Sequence, residues 1–415
     1  MSGRVVIVGA GHGAAQLCVS LVESGWKGSI TLIGDEPVLP YHRPPLSKTQ
    51  LDPAVDHELQ LIRPATFYQS AGIEFISGTR VEHIDRTAKF VRAGDRTIAY
   101  DTLVLCTGSV HRNPPIKGID HPCVFRLRTA ADAAAIRTTI AAASSAVIIG
   151  AGFIGLEIAA SLRSLGRAVT VLEAAPRVLS RVTSPTLSTF YEALHRQHGV
   201  TLHTGILAGE IRETSHGLVV ITSTGETHHG DFVVVGTGAA ACTDLAEAAG
   251  IDVDNGIRVD AFNRTSDPDI YSLGDCCTQW HPLYQQWLRL ESVQHAGDQA
   301  RTVAGALTGN PHPHNALPWF WSDQYDVKLQ IAGVSTGYDA MVLRGRPESG
   351  PPFSAWYFKA GALLAVDAVN DSVAYAVGTK LLKSGRQPDP THLADTSIDL
   401  KTILKDAKES HHACS

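Results

Sequence analysis

Two glycine-rich stretches in this chain have the residue types and spacing that chemistry on a dinucleotide requires. One is Gly150-Ala151-Gly152-Phe153-Ile154-Gly155. The apolar run Ala146–Ile149 leads into it, and a helical pattern of Leu156, Ile158, Ala159, Leu162 and Leu165 follows. A second apolar run, Val169–Leu172, then ends on Glu173. Strand, glycine turn, helix, strand and acid come in the order of a dinucleotide site. Gly150 would make the tight turn, Gly152 would let a pyrophosphate approach the backbone, and Gly155 would let the helix pack on its strand. The phosphates would lie at the helix N-terminus, where free N–H groups and the dipole favour anions. Glu173 suits an adenosine ribose and repels a 2′-phosphate, so NADH is expected over NADPH, with Arg177 the one cation nearby that could change this.

The sister stretch is Gly9-Ala10-Gly11-His12-Gly13-Ala14, a tolerated Gly-x-Gly-x-x-Ala form. It follows Arg4–Val8 and opens a helix through Ala15, Leu17, Val19, Leu21 and Val22, which Gly25 stops. Ser29–Ile33 is the next strand, and Asp35 or Glu36 after it would hold a ribose, with Asp35 nearer the strand end. Two motifs imply two different dinucleotides, most simply FAD and a nicotinamide cofactor. A single working site with a decayed copy is the other arrangement that fits. The strands leading into both motifs are continuous apolar runs, as in parallel sheets buried on both faces.

These two units must be carried by a chain of 415 residues, too long for one core, so two or three domains are expected. A hydrophobic content of 44% with 18% charged residues describes a soluble globular protein. The net charge of −6 argues against nucleic acid as the main partner. There is no apolar run of about 18 residues, so no membrane span is expected. The first strand begins at Arg4, which leaves no room for a leader and implies a cytoplasmic protein. The seven cysteines show neither zinc spacing nor a disulfide framework. Cys18, Cys106 and Cys123 read as small buried apolar residues, and a vicinal Cys276–Cys277 disulfide is not expected. His411-His412 is too short for a metal site.

Between the motifs, Leu39–Lys48 holds Pro44 and Pro45, which deny a long helix, and it carries Arg43 and Lys48. Those cations suit a flavin or its phosphates, and equally a solvated surface loop. Ile73–Ile76 reads as a strand, the stretch around Val81 alternates, and residues 89–99 suggest a hairpin. Leu103–Gly108 and Ile270–Asp275 each run as a strand into a glycine. A helix is expected from Ser292 to Leu307. Residues 112–122 look like a boundary. From Pro318 the pattern becomes antiparallel, with strands near Val327–Ile331, Phe353–Phe358 and Leu363–Val369. A helix near Val373–Leu382 and a short one at Leu400, Ile403 and Leu404 follow.

Arg43-Pro-Pro-Leu-Ser-Lys48, following the first motif, resembles the FAD-dependent NADH:ferredoxin reductases of bacterial oxygenase systems. Putidaredoxin reductase and the biphenyl dioxygenase ferredoxin reductase typify that family. The likeness continues through Leu127-Arg128-Thr129, Gly152–Glu157, Thr265–Ile270, Gly274-Asp275, Arg289–Val293 and Trp319–Gln324. It implies an α/β fold with two Rossmann-like dinucleotide-binding domains of glutathione-reductase type and a C-terminal α+β domain. The FAD domain would take residues 1–109 and 239–317, the NAD domain 110–238, and the interface domain 318–415. The flavin contacts implied are Gly9, Gly11, Gly13, Asp35, Arg43, Lys48, Val81, Thr107, Gly108, Arg128, Asp275, Val293 and Trp319, with Trp321 the alternative to Trp319. Gly150, Gly152, Gly155, Glu173 and Gly238 would hold NADH. Lys48 would lie at the flavin's reactive edge with Glu157 as its partner, the catalytic pair. A [2Fe-2S] ferredoxin feeding a cytochrome P450 or Rieske-type oxygenase would take the electrons from a monomer or weak dimer. Acidic ferredoxins prefer basic surfaces, which makes Arg289, Arg301 and Lys328 candidate contacts, or equally solvated charges that contact nothing. A rubredoxin reductase, or a redox-gated binding protein like apoptosis-inducing factor, are the alternatives. Two departures from the family stand out: Ala239–Cys242, where a proline is usual, and His295, where asparagine is usual.

Overall fold

The computed structural model describes residues 2–408; His411 and His412 lie outside them. The chain clusters into two compact units. One comprises the chain through His42, Glu58–Val110 and Ala239–Ala316. The other comprises Arg43–His57, His111–Gly238 and the chain from Leu317 onward.

The first unit is built on a five-stranded parallel sheet in the order Ile270–Ser272, Thr102–Leu105, Arg4–Val8, Ser29–Ile33, Ile73–Ile76. Val5, Val6, Ile7 and Val8 are all buried, which is why the strand is apolar at every position after Arg4 rather than at alternate ones. The helix His12–Glu23 covers one face through Leu17, Cys18 and Leu21 and packs with the helix Val293–Leu307 through Ala300, Val303 and Leu307. Ser292 caps the latter helix, its hydroxyl accepting the His295 N–H at 3.1 Å. A small antiparallel sheet of Val81–Asp85, Phe90–Ala93 and Arg96–Ala99 is inserted in this unit.

The second unit repeats the construction. Its parallel sheet has the order Val200–Thr204, Ala168–Glu173, Ser145–Ile149, Phe232–Val235, Val124–Phe125. It too carries an antiparallel insertion, Ala208–Thr214, Gly217–Thr222 and Thr227–Gly230. In both sheets the strand that enters the glycine motif is the central one. It pairs with the next strand in sequence on one side and with a much later strand on the other. That is the switch point, where a crevice opens beyond the carboxyl ends of the strands.

The C-terminal part is an antiparallel sheet in the order Trp319–Gln324, Val327–Gly333, Ala362–Val369, Phe353–Lys359, Ala340–Arg344. The helix Ser372–Ser384, capped by the Asp371 carboxylate, covers it through Ala374, Val377 and Leu381 over Trp356 and Val366. Arg386 and Arg344 hold the last two short helices by their backbone carbonyls. Cys18 and Cys106 are buried and Cys123 half-buried; Cys276 and Cys277 are buried free thiols. Among the described residues no helix is long and apolar enough to cross a membrane, and no side-chain cluster could hold a metal.

Candidate functional site

Each glycine of the two motifs has its own steric reason. Gly9 and Gly150 stand at φ +100° and +107°. A Cβ there would come within 2.2 Å of the Cys106 carbonyl or 2.4 Å of the Gly236 carbonyl, each just past the end of the strand across the switch point. A Cβ on Gly155 would lie 2.1 Å from the Gly150 carbonyl, and one on Gly13 would lie 2.4 Å from a Leu273 methyl. These four positions are fixed by packing and turn geometry, Gly13 included. Gly11 and Gly152 differ: both are extended at negative φ, and a Cβ on either would meet nothing. The open space beside them is the room a pyrophosphate needs against the backbone. The helices they open lack a capping side chain. Those starting at Ala130, Pro185, Val293, Ser372, Pro390 and Leu400 carry one, and the short helices at Ala65 and Asp244 do not. Uncapped amides at a helix start are ready donors for an anion. The residues present therefore fit two dinucleotides.

Around the first motif, Asp35 is exposed at the end of Ser29–Ile33, while Glu36 is half-buried and accepts from the Tyr41 hydroxyl at 2.6 Å. Thr107 and Gly108, the latter at φ +71°, follow the neighbouring strand Thr102–Leu105. The Thr107 hydroxyl donates to the Cys242 carbonyl at 2.7 Å, and the Cys242 N–H donates to the Gly108 carbonyl. The departure at Ala239–Cys242 thus ties itself to the first motif's crevice. Asp275 accepts from Ser109 at 3.0 Å, and Val81 is buried at the start of its strand. Val293 is the first residue of its helix. His295 is buried, and burial pushes its pKa down to about 3, so it is a neutral imidazole at working pH.

Around the second motif, Glu173 is held by the turn itself. Its carboxylate accepts the Ala151 N–H at 2.6 Å and the Ala175 N–H at 2.7 Å. Arg177, the cation that could have favoured a 2′-phosphate, is committed elsewhere. It donates to the Thr183 and Ser180 carbonyls and to the Ser188 hydroxyl. Gly238, at φ +100°, lies under the exposed Arg181, whose guanidinium is 3.0 Å from where a Cβ would stand. Sequence reasoning passed over Arg181.

The Lys48–Glu157 pair is formed. Residues Pro44–Ser47 and Thr49–Leu51 make two short 3-10 turns. Arg137 fixes them through the Gln50 carbonyl and Ser161 through the Ser47 carbonyl. Lys48 Nζ then donates to Glu157 at 2.7 Å. Glu157, on the second turn of its helix and 5% exposed, also accepts from Ser47 at 2.5 Å and from Ser322 at 2.7 Å. Behind Ser322, Gln324 bonds to it and to His195, a buried imidazole whose pKa burial lowers to about 4. Ser322, Gln324 and His195 were not singled out in the sequence, although the first two lie inside the Trp319–Gln324 stretch. A cleft of about 260 Å³ borders the pair, lined also by Asp52, Ser161, Asp323 and Tyr325. Arg43 donates to the Arg128 carbonyl at 2.6 Å, and Trp319 packs at 5.6 Å from Trp321 and 6.0 Å from Tyr375.

Two switch-point crevices with glycine cradles, one acid-tethered, define a flavoprotein oxidoreductase that uses a pyridine nucleotide. Residues 3–300 match the family model of the pyridine nucleotide-disulphide oxidoreductases, and residues 319–404 match a reductase C-terminal model. The chain is 42% identical over 410 residues to rhodocoxin reductase of Rhodococcus erythropolis, covering 98% of this chain and 96% of that one. It resembles the solved ferredoxin reductase for the CYP199A2 system from Rhodopseudomonas palustris with a TM-score of 0.94 and 41% identity, over 97% and 99% of the two chains. The covalent putidaredoxin reductase–putidaredoxin complex gives the same TM-score, 0.94, at 38% identity over 98% and 99%. The chain belongs to the pyridine nucleotide-disulphide oxidoreductases and, within them, to the FAD- and NAD(H)-dependent ferredoxin reductases.

The contrast between the glycines is testable. Gly152→Ala is expected to leave thermal unfolding unchanged, or to stabilise by up to about 1 kcal/mol through lost unfolded-state freedom, while raising the NADH KM about tenfold or more. Gly150→Ala should instead lower the melting temperature, because a side chain there is strained and overlaps a carbonyl. A Gly152→Ala protein with an unaltered NADH KM would remove that cradle from nucleotide binding.

Proposed function

We propose that this chain takes a hydride from NADH and delivers the electrons singly to a [2Fe-2S] ferredoxin serving a cytochrome P450 or Rieske-type oxygenase. The observation that carries this reading is the doubled glycine cradle with no cysteine pair in the segment that follows the first motif. The segment after the first motif has prolines, Ser47 and Lys48 where disulfide chemistry would need two cysteines. Cys106 and Cys277 are buried thiols whose pKa values burial pushes well up, so they do not supply thiolates at neutral pH. Electrons arriving as a hydride must then leave by an outer acceptor.

In this reading Gly9, Gly11, Asp35, Val81, Thr107, Gly108, Asp275 and Val293 hold FAD, with Gly13 acting through helix packing. Arg43, Arg128 and Trp319 are flavin contacts by resemblance. When bound, the flavin supplies the step from two-electron to one-electron chemistry. Gly150, Gly152, Gly155, Glu173 and Gly238 hold NADH. Lys48 keeps a positive charge at the reacting centre, and Glu157 fixes where that charge stands. The carboxylate of Glu173 accepts from ribose hydroxyls and repels a 2′-phosphate, and Arg177 does not offset that preference, since it is bonded to its own loop. For the acceptor, Arg301 is 56% exposed and ion-paired with Asp298, and Lys328 is exposed. Arg289 is only 10% exposed and donates to Glu291 and to the Asp275 carbonyl, so its charge is spent inside the fold.

Stopped-flow reduction by NADH, followed by mixing with ferredoxins and rubredoxins, tests the reading. Reoxidation should be fast with a [2Fe-2S] ferredoxin, and kcat/KM should favour NADH over NADPH by about tenfold or more, roughly 1.4 kcal/mol. Faster transfer to a rubredoxin would shift the assignment to the alternative acceptor, and equal use of NADPH would end the role given to Glu173. Arg301→Glu is expected to raise the KM for ferredoxin while NADH–ferricyanide turnover stays intact. An unchanged ferredoxin KM would take Arg301 out of the docking surface.

A further inference from the structure

The strand Ala362–Val369 is apolar except for Asp367, which is fully buried and pairs across the sheet with Ile331 and Ala355. One carboxylate oxygen accepts from the Thr183 hydroxyl at 2.7 Å and from the Tyr357 hydroxyl at 2.6 Å. The other is buried without a partner. Burial pushes the Asp367 pKa up to about 6. A carboxyl whose pKa is raised by folding adds stability at low pH and loses that contribution as pH rises through its folded value. At neutral pH the ionised Asp367 is thus a cost to the fold, and its value has to be sought in what it holds.

It holds one end of a short segment. At the other end the Leu179 N–H donates to the Ala151 carbonyl, inside the second glycine turn, at 3.0 Å. Arg177 braces the segment through the Ser180 and Thr183 carbonyls. Ser184, next to Thr183, lies 3.1 Å from the Tyr357 hydroxyl and caps the following helix. Between the two anchors stands Arg181, with its guanidinium against Gly238.

We propose that Asp367 is a positioning residue for the nicotinamide dinucleotide: by anchoring Thr183 it fixes the 179–184 segment and so the cation that Arg181 presents beside the second glycine turn. This rests on the reading that the Gly150 motif takes NADH. Arg181 supplies a charge for the pyrophosphate, and Asp367, which touches no nucleotide, sets where that charge stands. Protonation of Asp367 weakens it as an acceptor and loosens the anchor, so nucleotide affinity falls as pH drops through the Asp367 range. The groups facing Asp367 are Tyr357 and Tyr191, both pushed up by burial and neutral throughout, and Arg177 beyond the Thr183 carbonyl. Glu173 holds the Ala151 N–H and is unchanged in the variants below.

The test is calorimetric titration of the FAD-loaded enzyme with NAD+ at pH 7.5 and pH 5, for wild type, Asp367→Asn and Thr183→Val. Wild type should bind several-fold more weakly at the lower pH. Asp367→Asn should bind several-fold more weakly than wild type at pH 7.5 and show no further loss at pH 5. Thr183→Val, which removes the same bond from the other side, should weaken binding at pH 7.5, and it carries the test if the aspartate variant does not fold. Steady-state kinetics should show the change in the NADH KM, with kcat at saturating NADH held. Variants that bind NAD+ as wild type does, or a wild-type affinity that is flat between the two pH values, overturn the proposal. A wild-type enzyme that binds no NAD+, while retaining FAD, would instead refute the assignment of the Gly150 motif.

Discussion

The charge at Glu157 constrains this molecule most. A carboxylate that is 5% exposed survives in a protein interior only when donors surround it, and removing one partner of a buried pair typically costs about 3–5 kcal/mol. Here the donors come from distant parts of the chain: Ser47 and Lys48 from the proline-bearing turns, and Ser322 from the first strand of the C-terminal sheet. Ser322 is oriented by Gln324, and Gln324 by the neutral His195. The helix that opens at Gly152 therefore carries two obligations. Its N-terminus must stay uncapped for an anion, and its second turn must receive a cation and two hydroxyls.

The glycine positions show why so much of the fold was legible. A backbone at φ near +100° with a carbonyl within 2.4 Å of any Cβ admits glycine and little else, so Gly9 and Gly150 announce the turn whatever surrounds them. The strands before them are apolar throughout because they are central in their sheets, and that too is a local property of the sequence. The antiparallel C-terminal strands follow from alternation at Val327–Ile331, an aromatic run at Phe353–Phe358 and an apolar run at Leu363–Val369, and their helix from the turn at Asn370-Asp371. Element ends moved by a few residues, as with Ser372–Ser384, where Asp371 and Gly385 set the limits and the apolar pattern covered a shorter span.

The site was less legible, for a physical reason. Lys48 and Glu157 were named through resemblance, because nothing in a loop lysine or a helical glutamate signals a partner 109 residues away. Ser322 and His195 were missed because a serine and a histidine are chemically unremarkable until a buried carboxylate and a glutamine are put beside them. Arg289 was read as a surface cation from its type alone, whereas exposure is decided by the fold, which turns it onto Glu291 and a carbonyl. Charge is visible in a sequence; whether it is available is not.

The same distinction separates the two ends of the nucleotide reading. Glu173 and Arg177 are four residues apart, and composition alone would let either one decide between ribose and phosphate. The structure divides them by what each is already bonded to. Glu173 uses both oxygens on backbone N–H groups, yet a carboxylate has about four acceptor directions, so it keeps capacity for a ribose. Arg177 commits three of its five N–H donors to two carbonyls and a hydroxyl, which tether the guanidinium to the Ser180–Ser188 stretch. In the proposed reading, an acid tethered to the glycine turn and a base held within its own stretch would set the nucleotide preference by where each is fixed rather than by net charge. Reversing such a preference would take more than neutralising Glu173, because the turn would lose the carboxylate that holds the Ala151 amide in place.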